Sequence, residues 1–349
     1  MSTQAIDPQM QEQLQEEGLR YTSDSNPGFF RQKRGKIFDC YDLDGKKISD
    51  TSTVERINTL AIPPAWQNVW ISSKTNGHLQ ATGIDDRGRK QYIYHTDWTA
   101  ICQQNKFAKL VDFGKALPKI RSKVRADMSL PTLEKRRILA TIVWLLEHTF
   151  IRIGNDDYAK ENNSFGLTTL RNKHVDVHGA DISFQFRGKS GVEHALSISN
   201  PTVSKTIKKC IELPGFQLFQ YVDDQGDRHV IDSADVNQFL KDVASDDFSA
   251  KDFRTWGGSN LSADFLYRAG QLEGDKEVKK VVKDMVKDVS GHLGNTASVC
   301  RTYYIHPKVI ESYENTELVP HYDKHAKERS NPSGLSWNEH ALISLLQKA

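Results

Sequence analysis

The stretch LEKRRILATIVWLLEHTF, residues 133–150, runs without glycine or proline and leads directly into IRIGN, residues 151–155. Pro131-Thr132 precede it, and apolar residues fill successive turns, so the sequence predicts a long helix packed in a core. Arg152 follows where this helix should end. An arginine at the end of a buried helix can form a structural ion pair or have a functional role. The helix alone does not distinguish these two interpretations.

The surrounding sequence indicates that most of the chain is helical and contains one β-hairpin. From about Trp98 onward the apolar residues follow a helical period. Residues 182–186 (ISFQF) instead alternate between apolar and polar and predict a strand. GKSG at 188–191 predicts a turn, and residues 195–199 predict the second strand of the hairpin. Lys189 is therefore expected at the tip of a hairpin.

The C-terminal third predicts two further helices. In residues 278–289 (VKKVVKDMVKDV), valine or methionine recurs at i, i+3, i+4, i+7, i+8 and i+11, which is one helix face. Residues 322–336 are polar and contain Pro332 and Gly334, so they predict a loop. Residues 337–346 predict a closing helix.

The N-terminal part has a different character. Residues 1–20 are polar and predict an N-terminal arm, and residues 21–98 predict a small β-rich domain. Within that domain, Ser52 and Glu55 have the spacing of a capping box that opens a short helix. Strands are expected at residues 36–41, 69–72, 78–82 and 91–94, with turns at Asp44-Gly45, Asn76-Gly77 and Arg87-Gly88.

The charge balance requires any nucleic-acid surface to come from local segregation of charge. The 349 residues carry 47 Lys+Arg against 45 Asp+Glu, a net charge of only +2. Basic clusters occur at residues 31–36 (RQKRGK) and 87–90 (RGRK), and for either cluster alone a solvated charged face is an equal interpretation. We expect the second cluster and the strand after it to contact DNA through five residues: Arg87, Arg89, Lys90, Tyr92 and Tyr94.

Several other function classes find no support in the sequence. The four cysteines form no C-x-x-C pair and the histidines show no H-E-x-x-H spacing, so we expect no metal. GKS at 188–190 resembles the end of a P-loop, but the pattern needs glycine where Ser183 stands, so we expect no cofactor. With neither a secretory signal nor a membrane-length apolar run, a cytoplasmic protein without a membrane partner is expected.

Five short segments, in this order, carry a resemblance to one enzyme family: FIRIGN at 150–155, FRGK at 186–189, KDFRTW at 251–256, LGNT at 293–296 and CRTYYIHP at 300–307. The N-terminal part adds AIPPAW at 61–66, GHLQATG at 77–83 and GRKQY at 88–92. Each segment alone is weak. Together they resemble the type IB DNA topoisomerases, in their bacterial and poxvirus-like branch, over roughly residues 18–320.

The resemblance implies a tyrosine nucleophile. Tyr304, nine residues after Asn295, would attack the phosphorus, form a 3′-phosphotyrosyl link and expel a 5′-hydroxyl without metal or ATP. The adjacent Tyr303 is the rival. Since successive helical residues point about 100° apart, only one of the two can face the site.

The resemblance also implies roles for the remaining site residues. Arg152 and Arg254 would bind the non-bridging oxygens, and Asn295 would donate one neutral hydrogen bond. Lys189 would be the general acid for the leaving oxygen, assisted by Lys251. Eukaryotic and poxviral members carry histidine in place of Asn295, so at this position only hydrogen bonding is expected here.

These observations predict an α+β protein of two domains. A small β-rich DNA-binding domain, residues 21–98, and a mostly helical catalytic domain with a β-hairpin, residues 99–349, would form a clamp around duplex DNA, acting as a monomer at the nucleoid. The main alternative is a site-specific tyrosine recombinase, which usually has an H-x-x-R box where KDFR stands here, and a helical N-terminal domain. A non-enzymatic DNA-binding protein with a decayed site is less consistent, because every catalytic position is filled.

Overall fold

The computed structural model describes residues 14–35, 37–327 and 334–348. The chain folds as two compact units, Met1–Lys106 and Phe107–Ala349. An antiparallel β-sheet dominates the first unit, and helices with two small sheets make up the second. The predicted α+β class is confirmed, while the predicted boundary between residues 98 and 99 stays a prediction.

The first unit is built on a five-stranded antiparallel sheet with the order β2-β1-β3-β4-β5. Its strands are β1 (Gly28–Arg34), β2 (Ile37–Tyr41), β3 (Gln67–Ser72), β4 (Leu79–Ile84) and β5 (Lys90–Tyr94). Helix α1 (Thr51–Thr59) packs on the sheet, with Ile57 against Val69, Ile71 and Ala81. Apolar burial on one face thus holds a sheet whose other residues are largely polar.

Two details of this unit differ from the sequence prediction. Helix α1 begins before the expected capping box at Ser52, because Asp50 is the N-cap and its carboxylate accepts from the Thr53 backbone N–H at 2.9 Å. Strand β1 lies where the sequence shows a basic cluster. Its pairing with both β2 and β3 establishes it as a strand, and pairing partners are not visible in local sequence.

The second unit gathers its helices around one large hydrophobic core. Its helices are α2 (Thr96–Met128, which begins in the first unit), α3 (Lys135–Thr149), α4 (Asp156–Asn162), α5 (Pro201–Glu212), α6 (Ser233–Ala244), α7 (Ala250–Ala269), α8 (Asp275–Leu293), α9 (Ala297–Tyr303), α10 (Pro307–Glu314), α11 (Leu318–Lys327) and α12 (Trp337–Leu346). Its strands are β6 (Val175–His178), β7 (Asp181–Arg187), β8 (Glu193–Ser199), β9 (Gln220–Val222) and β10 (Arg228–Val230).

Helix α7 is the central helix of this unit. It contacts α3, α6, α8, α10, α11 and α12. A capping box starts it: the Ser249 hydroxyl and backbone N–H both donate to the Asp252 carboxylate, at 3.0 and 2.8 Å. Because α7 is surrounded on most sides, side chains on it can reach several different segments of the chain.

The predicted hairpin and the amphipathic helix are both present. Strands β7 and β8 pair antiparallel, and Ile182, Phe184 and Phe186 all point into the core. Strand β6, in which Val175 and Val177 alternate with polar residues, joins as a third strand. Helix α8 buries the expected face, including Met285 and Val289.

The predicted loop over residues 322–336 is wrong for its first part. Helix α11 extends to Lys327 and buries Leu318, His321 and Tyr322. Its other face is polar and exposed, which explains why the segment reads as a loop in sequence. Residues 328–333 of the predicted loop lie outside the described residues. The predicted closing helix is confirmed as α12.

Candidate active site

Arg152 lies in an extended segment directly after helix α3. Phe150 ends that helix in the left-handed conformation, with a φ of 53°, and turns the chain away from the helix axis. The Arg152 carbonyl accepts from the Leu167 N–H at 2.9 Å, and the next carbonyl accepts from the Thr168 N–H at 2.7 Å. Two backbone hydrogen bonds to residues 167 and 168 therefore fix the position of the chain at Arg152.

The Arg152 guanidinium meets Asn295 and the end of helix α8. It donates to the Asn295 side-chain oxygen and, at 3.4 Å, to the Gly294 carbonyl. Arginine has only donors, so the amide oxygen has to face it. The amide nitrogen of Asn295 is buried and has no hydrogen-bond acceptor within the described part of the chain.

Arg254, on the first turns of α7, is almost completely buried, with 3% of its surface exposed. It donates to the Leu293 carbonyl at 2.7 Å and to the Phe150 carbonyl. These carbonyls belong to the C-terminal ends of α8 and α3, where the helix dipoles are negative. Its Nε is buried without an acceptor in the described residues.

The two arginines keep their charge without an acidic partner. Neither forms an ion pair with a carboxylate anywhere in the described residues. Burial, followed by repulsion from Arg254, lowers the pKa of Arg152 to about 10, which leaves it charged at neutral pH. Burial also lowers the pKa of Arg254. The site thus holds concentrated positive charge, which rules out the structural ion pair that Arg152 alone would have fitted.

Tyr304 lies against this pair of arginines. The guanidinium carbon of Arg254 stands 4.9 Å from the centre of its ring, and the ring packs partly buried against the core. Tyr303 points outward, with 42% of its surface exposed. Tyr303 is the last residue of helix α9 and Tyr304 is its C-cap, with a φ of −130° and a ψ of −11°, so the assignment of Tyr304 as the nucleophile stays a prediction.

The middle of α7 supports the backbone of Tyr304. A Cβ on Gly258 would stand 2.5 Å from the Tyr304 carbonyl oxygen, so only glycine lets the segment approach so closely. The buried Ser259 hydroxyl donates to the same carbonyl at 3.3 Å and accepts from the His306 N–H at 3.0 Å. Glycine inside a helix costs about 1 kcal/mol relative to alanine, and this close approach is the reason it is found here.

Lys189 shares a cavity with Arg152. It begins a short 3-10 turn, Lys189–Gly191, at the tip of the β7–β8 hairpin, and its side chain is exposed. The cavity, of about 250 Å³, is lined by seven residues: Arg152, Ile153, Gly154, Asn155, Ser164, Phe165 and Lys189. The hairpin prediction is confirmed, and the lysine is within the same recess as the first arginine.

Lys251 is not brought into this recess. It lies on the first turn of α7, exposed, and makes no hydrogen bond or ion pair within the described residues. The segment that carries Lys251 and Arg254 is helical, which is the condition under which their spacing of three residues places them on one helix face. Its assistance to the proton transfer stays a prediction.

Comparison with known proteins decides between the related enzyme classes. The family model described as eukaryotic DNA topoisomerase I, catalytic core, matches residues 97–330. The model described as bacterial DNA topoisomerase IB, N-terminal domain, matches residues 37–85. The chain belongs to the type IB DNA topoisomerase family. Type IB DNA topoisomerase activity follows from that membership.

Viral relatives match this type IB topoisomerase over most of its length. DNA topoisomerase 1B of Acanthamoeba polyphaga mimivirus is 32% identical over 295 residues, which cover 82% of this chain and 88% of the relative. DNA topoisomerase 1B of vaccinia virus (strain Copenhagen) is 22% identical over 301 residues, covering 82% and 90%. A solved pre-cleavage complex of the XerH site-specific recombinase with difH is 14% identical, and the match covers 67% of this chain and 58% of that chain with a TM-score of 0.31. This similarity is too low to show a shared fold.

The DNA-contacting residues expected in the first unit of this type IB topoisomerase lie together around β5. Tyr92 and Tyr94 are about half exposed and stack with ring centres 6.1 Å apart. Lys90 pairs with Asp24 at 2.5 Å, and Arg89 pairs with Asp85 at 2.7 Å. Arg87 is exposed. Two of the three cations are therefore partly neutralised within the chain.

The first basic cluster is partly structural. Arg31 donates to three backbone carbonyls, those of Ile62, Pro63 and Trp66, at 2.8–3.0 Å. It also lies over the Phe38 ring at 4.2 Å. Lys36 of this cluster lies outside the described residues. Arg31 thus holds the loop before β3 and is not free for phosphate.

The described residues contain neither a metal-binding cluster nor a membrane-spanning helix. No group of three or more histidine, cysteine or acidic residues is arranged to hold a metal ion there. None of the described helices is both long and apolar enough to span a membrane. All four cysteines are free thiols.

Sequence reasoning missed three residues that shape the site of this topoisomerase: Gly258, Ser259 and His194. A signal for Gly258 was present, because it follows Gly257 within a helical segment and glycines inside helices usually have a packing reason. His194 faces Gly188 and Gly294 across the site. No local pattern singles it out, since its neighbours in space are distant in sequence.

Proposed function

We propose that this chain relaxes supercoiled duplex DNA by cleaving one strand transiently with Tyr304, letting the helix rotate, and resealing it. The observation that carries the proposal is the pair Arg152 and Arg254, buried or half-buried beside Tyr304 without a carboxylate partner in the described residues. Buried positive charge without an acidic partner is costly unless an anion compensates it. A DNA phosphodiester is the anion that the family's substrate supplies.

Helix C-termini explain how the arginines can serve this purpose. Neutral acceptors orient both guanidiniums without neutralising them: backbone carbonyls for Arg254, and the Asn295 side-chain oxygen for Arg152. The full charge is therefore available to the non-bridging oxygens. The Arg254 Nε and the Asn295 amide nitrogen are two further donors that the described chain leaves without acceptors. Charge that develops in the transition state would meet donors that are already oriented, which is the condition for strong electrostatic catalysis.

The reaction is a transesterification, in which one phosphoester bond forms as another breaks. The Tyr304 oxygen forms a bond to phosphorus as its proton is released to water, and the bond from phosphorus to the 5′ oxygen breaks. Lys189 donates a proton to that leaving oxygen, and Lys251 assists in restoring it. The phosphotyrosyl bond conserves the energy of the phosphodiester, so the 5′-hydroxyl can attack in reverse and reseal the strand without ATP.

For DNA binding, we propose that the two units close as a clamp around one duplex and act as a monomer at the nucleoid. Arg87, Arg89, Lys90, Tyr92 and Tyr94 would contact the backbone from the first unit. Opening of the Asp24 and Asp85 ion pairs would release the two paired cations for phosphate.

A plasmid relaxation assay tests the proposal. The purified chain should relax positively and negatively supercoiled plasmid in excess EDTA and without ATP, because its own side chains supply every charge and proton. An absolute need for magnesium or ATP would contradict the mechanism. Tyr304→Phe is the matched control, since it removes only the proposed nucleophilic oxygen and should show no relaxation.

A further inference from the structure

His194 lies at the junction of the two halves of the site. It stands on β8, opposite Phe186 in the strand register, and the two rings stack with centres 4.8 Å apart and planes 10° apart. Phe186 is buried in the core, so the imidazole of His194 packs against a side chain whose position is fixed by its neighbours.

Two glycines show how closely the ring is enclosed. A Cβ on Gly188 would lie 2.6 Å from the imidazole Cδ2 and Nε2, and a Cβ on Gly294 would lie 2.6 Å from its Cε1. Gly188 has an ordinary φ of −95°, so its backbone conformation does not require glycine. Space for the ring is the reason that the structure gives.

The chain positions of these glycines connect the ring to the chemistry. Gly188 immediately precedes Lys189, the proposed proton donor. Gly294 immediately precedes Asn295, and its carbonyl accepts from Arg152. The imidazole therefore fills the space between the loop that carries the acid and the turn that carries the phosphate contacts.

We propose that His194 is a positioning residue: its ring docks the Lys189 loop against the Gly294–Asn295 turn, so that proton donor and oxyanion contacts are assembled together. This inference rests on the proposed function and deepens it. An uncharged ring suits the place, since burial and the two nearby arginines lower the pKa of His194 and keep a third cation out of the site.

Single-turnover cleavage of a suicide substrate, a duplex whose short leaving strand dissociates, tests the role. His194→Ala should slow cleavage by about 10- to 100-fold, the order expected for a misplacement of ~1 Å. A substrate with sulfur at the 5′ bridging position has a leaving group that hardly needs a proton. It should restore much of the rate to His194→Ala, and little to Asn295→Ala. Equal cleavage by His194→Ala and the unmodified protein, or a defect that sulfur leaves unchanged, would overturn the proposal.

Conservative and control variants separate docking from other roles. His194→Phe keeps a flat ring on Phe186 and should retain most of the activity. If it were as slow as His194→Ala, ring docking would be refuted. His178→Ala, an exposed histidine of the same sheet, should behave as the unmodified protein.

A double-mutant cycle tests the contact itself. Gly188→Ala places a methyl group where the ring stands, and it should slow cleavage in the presence of His194 but cost much less in His194→Ala. Additive effects would contradict the contact. The outcome is separable from the proposed function: if the unmodified protein does not cleave, the function fails, whereas cleavage unaffected by His194 removes only this inference. Equal thermal midpoints would exclude misfolding as the cause.

Discussion

Replacement of Asn295 tests how the phosphate contacts are built. The structure assigns two separate tasks to this side chain: its oxygen accepts from Arg152, and its nitrogen is buried and left as a donor. Asn295→Ala removes both. Loss of one oriented donor typically costs ~10²–10³-fold, which is about 2.7–4 kcal/mol in activation free energy.

The loss should reach the upper end of that range. Without the amide oxygen, Arg152 keeps only the Gly294 carbonyl at 3.4 Å, beyond the usual hydrogen-bond distance. We therefore expect about 10³-fold slower cleavage for Asn295→Ala. Duplex binding should change little, because the donor meets its full charge only in the transition state.

Two further substitutions distinguish the tasks. Asn295→Asp keeps an acceptor for Arg152 but has no donor, and it adds negative charge beside the phosphate, so it should be at least as slow as alanine. Asn295→His can accept from Arg152 with one ring nitrogen and donate with the other, so it should keep far more activity. The neighbouring guanidinium would hold its pKa below the ordinary ~6.5. The cleavage rate of Asn295→His should therefore not vary with pH above ~6.5. It should fall only in more acidic buffer, where the protonated ring can no longer accept a hydrogen bond from Arg152.

The assay is single-turnover cleavage of the suicide substrate from pH 5 to 9, with filter binding in parallel. Asn315→Ala, an exposed asparagine at the end of α10, serves as the control and should match the unmodified protein. Full activity in Asn295→Ala would refute the reasoning. The site would then rest on its arginines and lysines alone.

Three further predictions follow from the geometry. Lys189→Ala should slow cleavage of ordinary DNA by ~10²–10⁴-fold, and bridging sulfur should rescue it but not Arg254→Ala; equal rescue of both would remove Lys189 as the acid. Gly258→Ala should displace the Tyr304 carbonyl and slow cleavage by about 10- to 100-fold, whereas Gly291→Ala, which meets open space, should not; equal rates would show that the close approach is irrelevant. Replacing Arg87, Arg89 and Lys90 together with alanine should flatten the slope of log affinity for duplex DNA against log salt concentration. An unchanged slope would exclude the surface around β5 as a DNA contact.

The parts of this molecule that could be predicted are those encoded by local patterns. The buried helix before Arg152, the apolar face of α8 and the alternation of β7 each arise from a period within one segment. The motifs around Lys189, Arg254 and Tyr304 could be read in order, so the candidate residues were available before any fold was known.

The parts that could not be predicted depend on contacts between distant segments. No sequence period reveals that backbone carbonyls at two helix ends hold Arg254, or that a histidine on β8 fills the space beside Gly294. Helix α11 was hidden for a similar reason, because Tyr322 is buried by residues such as Trp337 and Tyr267 from other helices. Tertiary packing decided these cases against local composition.

Mapping the covalent adduct tests the central claim most directly. The suicide substrate should trap the protein on DNA, and peptide mapping should place the 3′-phosphoryl group on Tyr304, which lies beside Arg254 while Tyr303 points outward. Tyr304→Phe should bind duplex DNA as well as the unmodified protein yet form no adduct, and Tyr303→Phe should form it at nearly the normal rate. An adduct on Tyr303, or one that persists in Tyr304→Phe, would contradict the account.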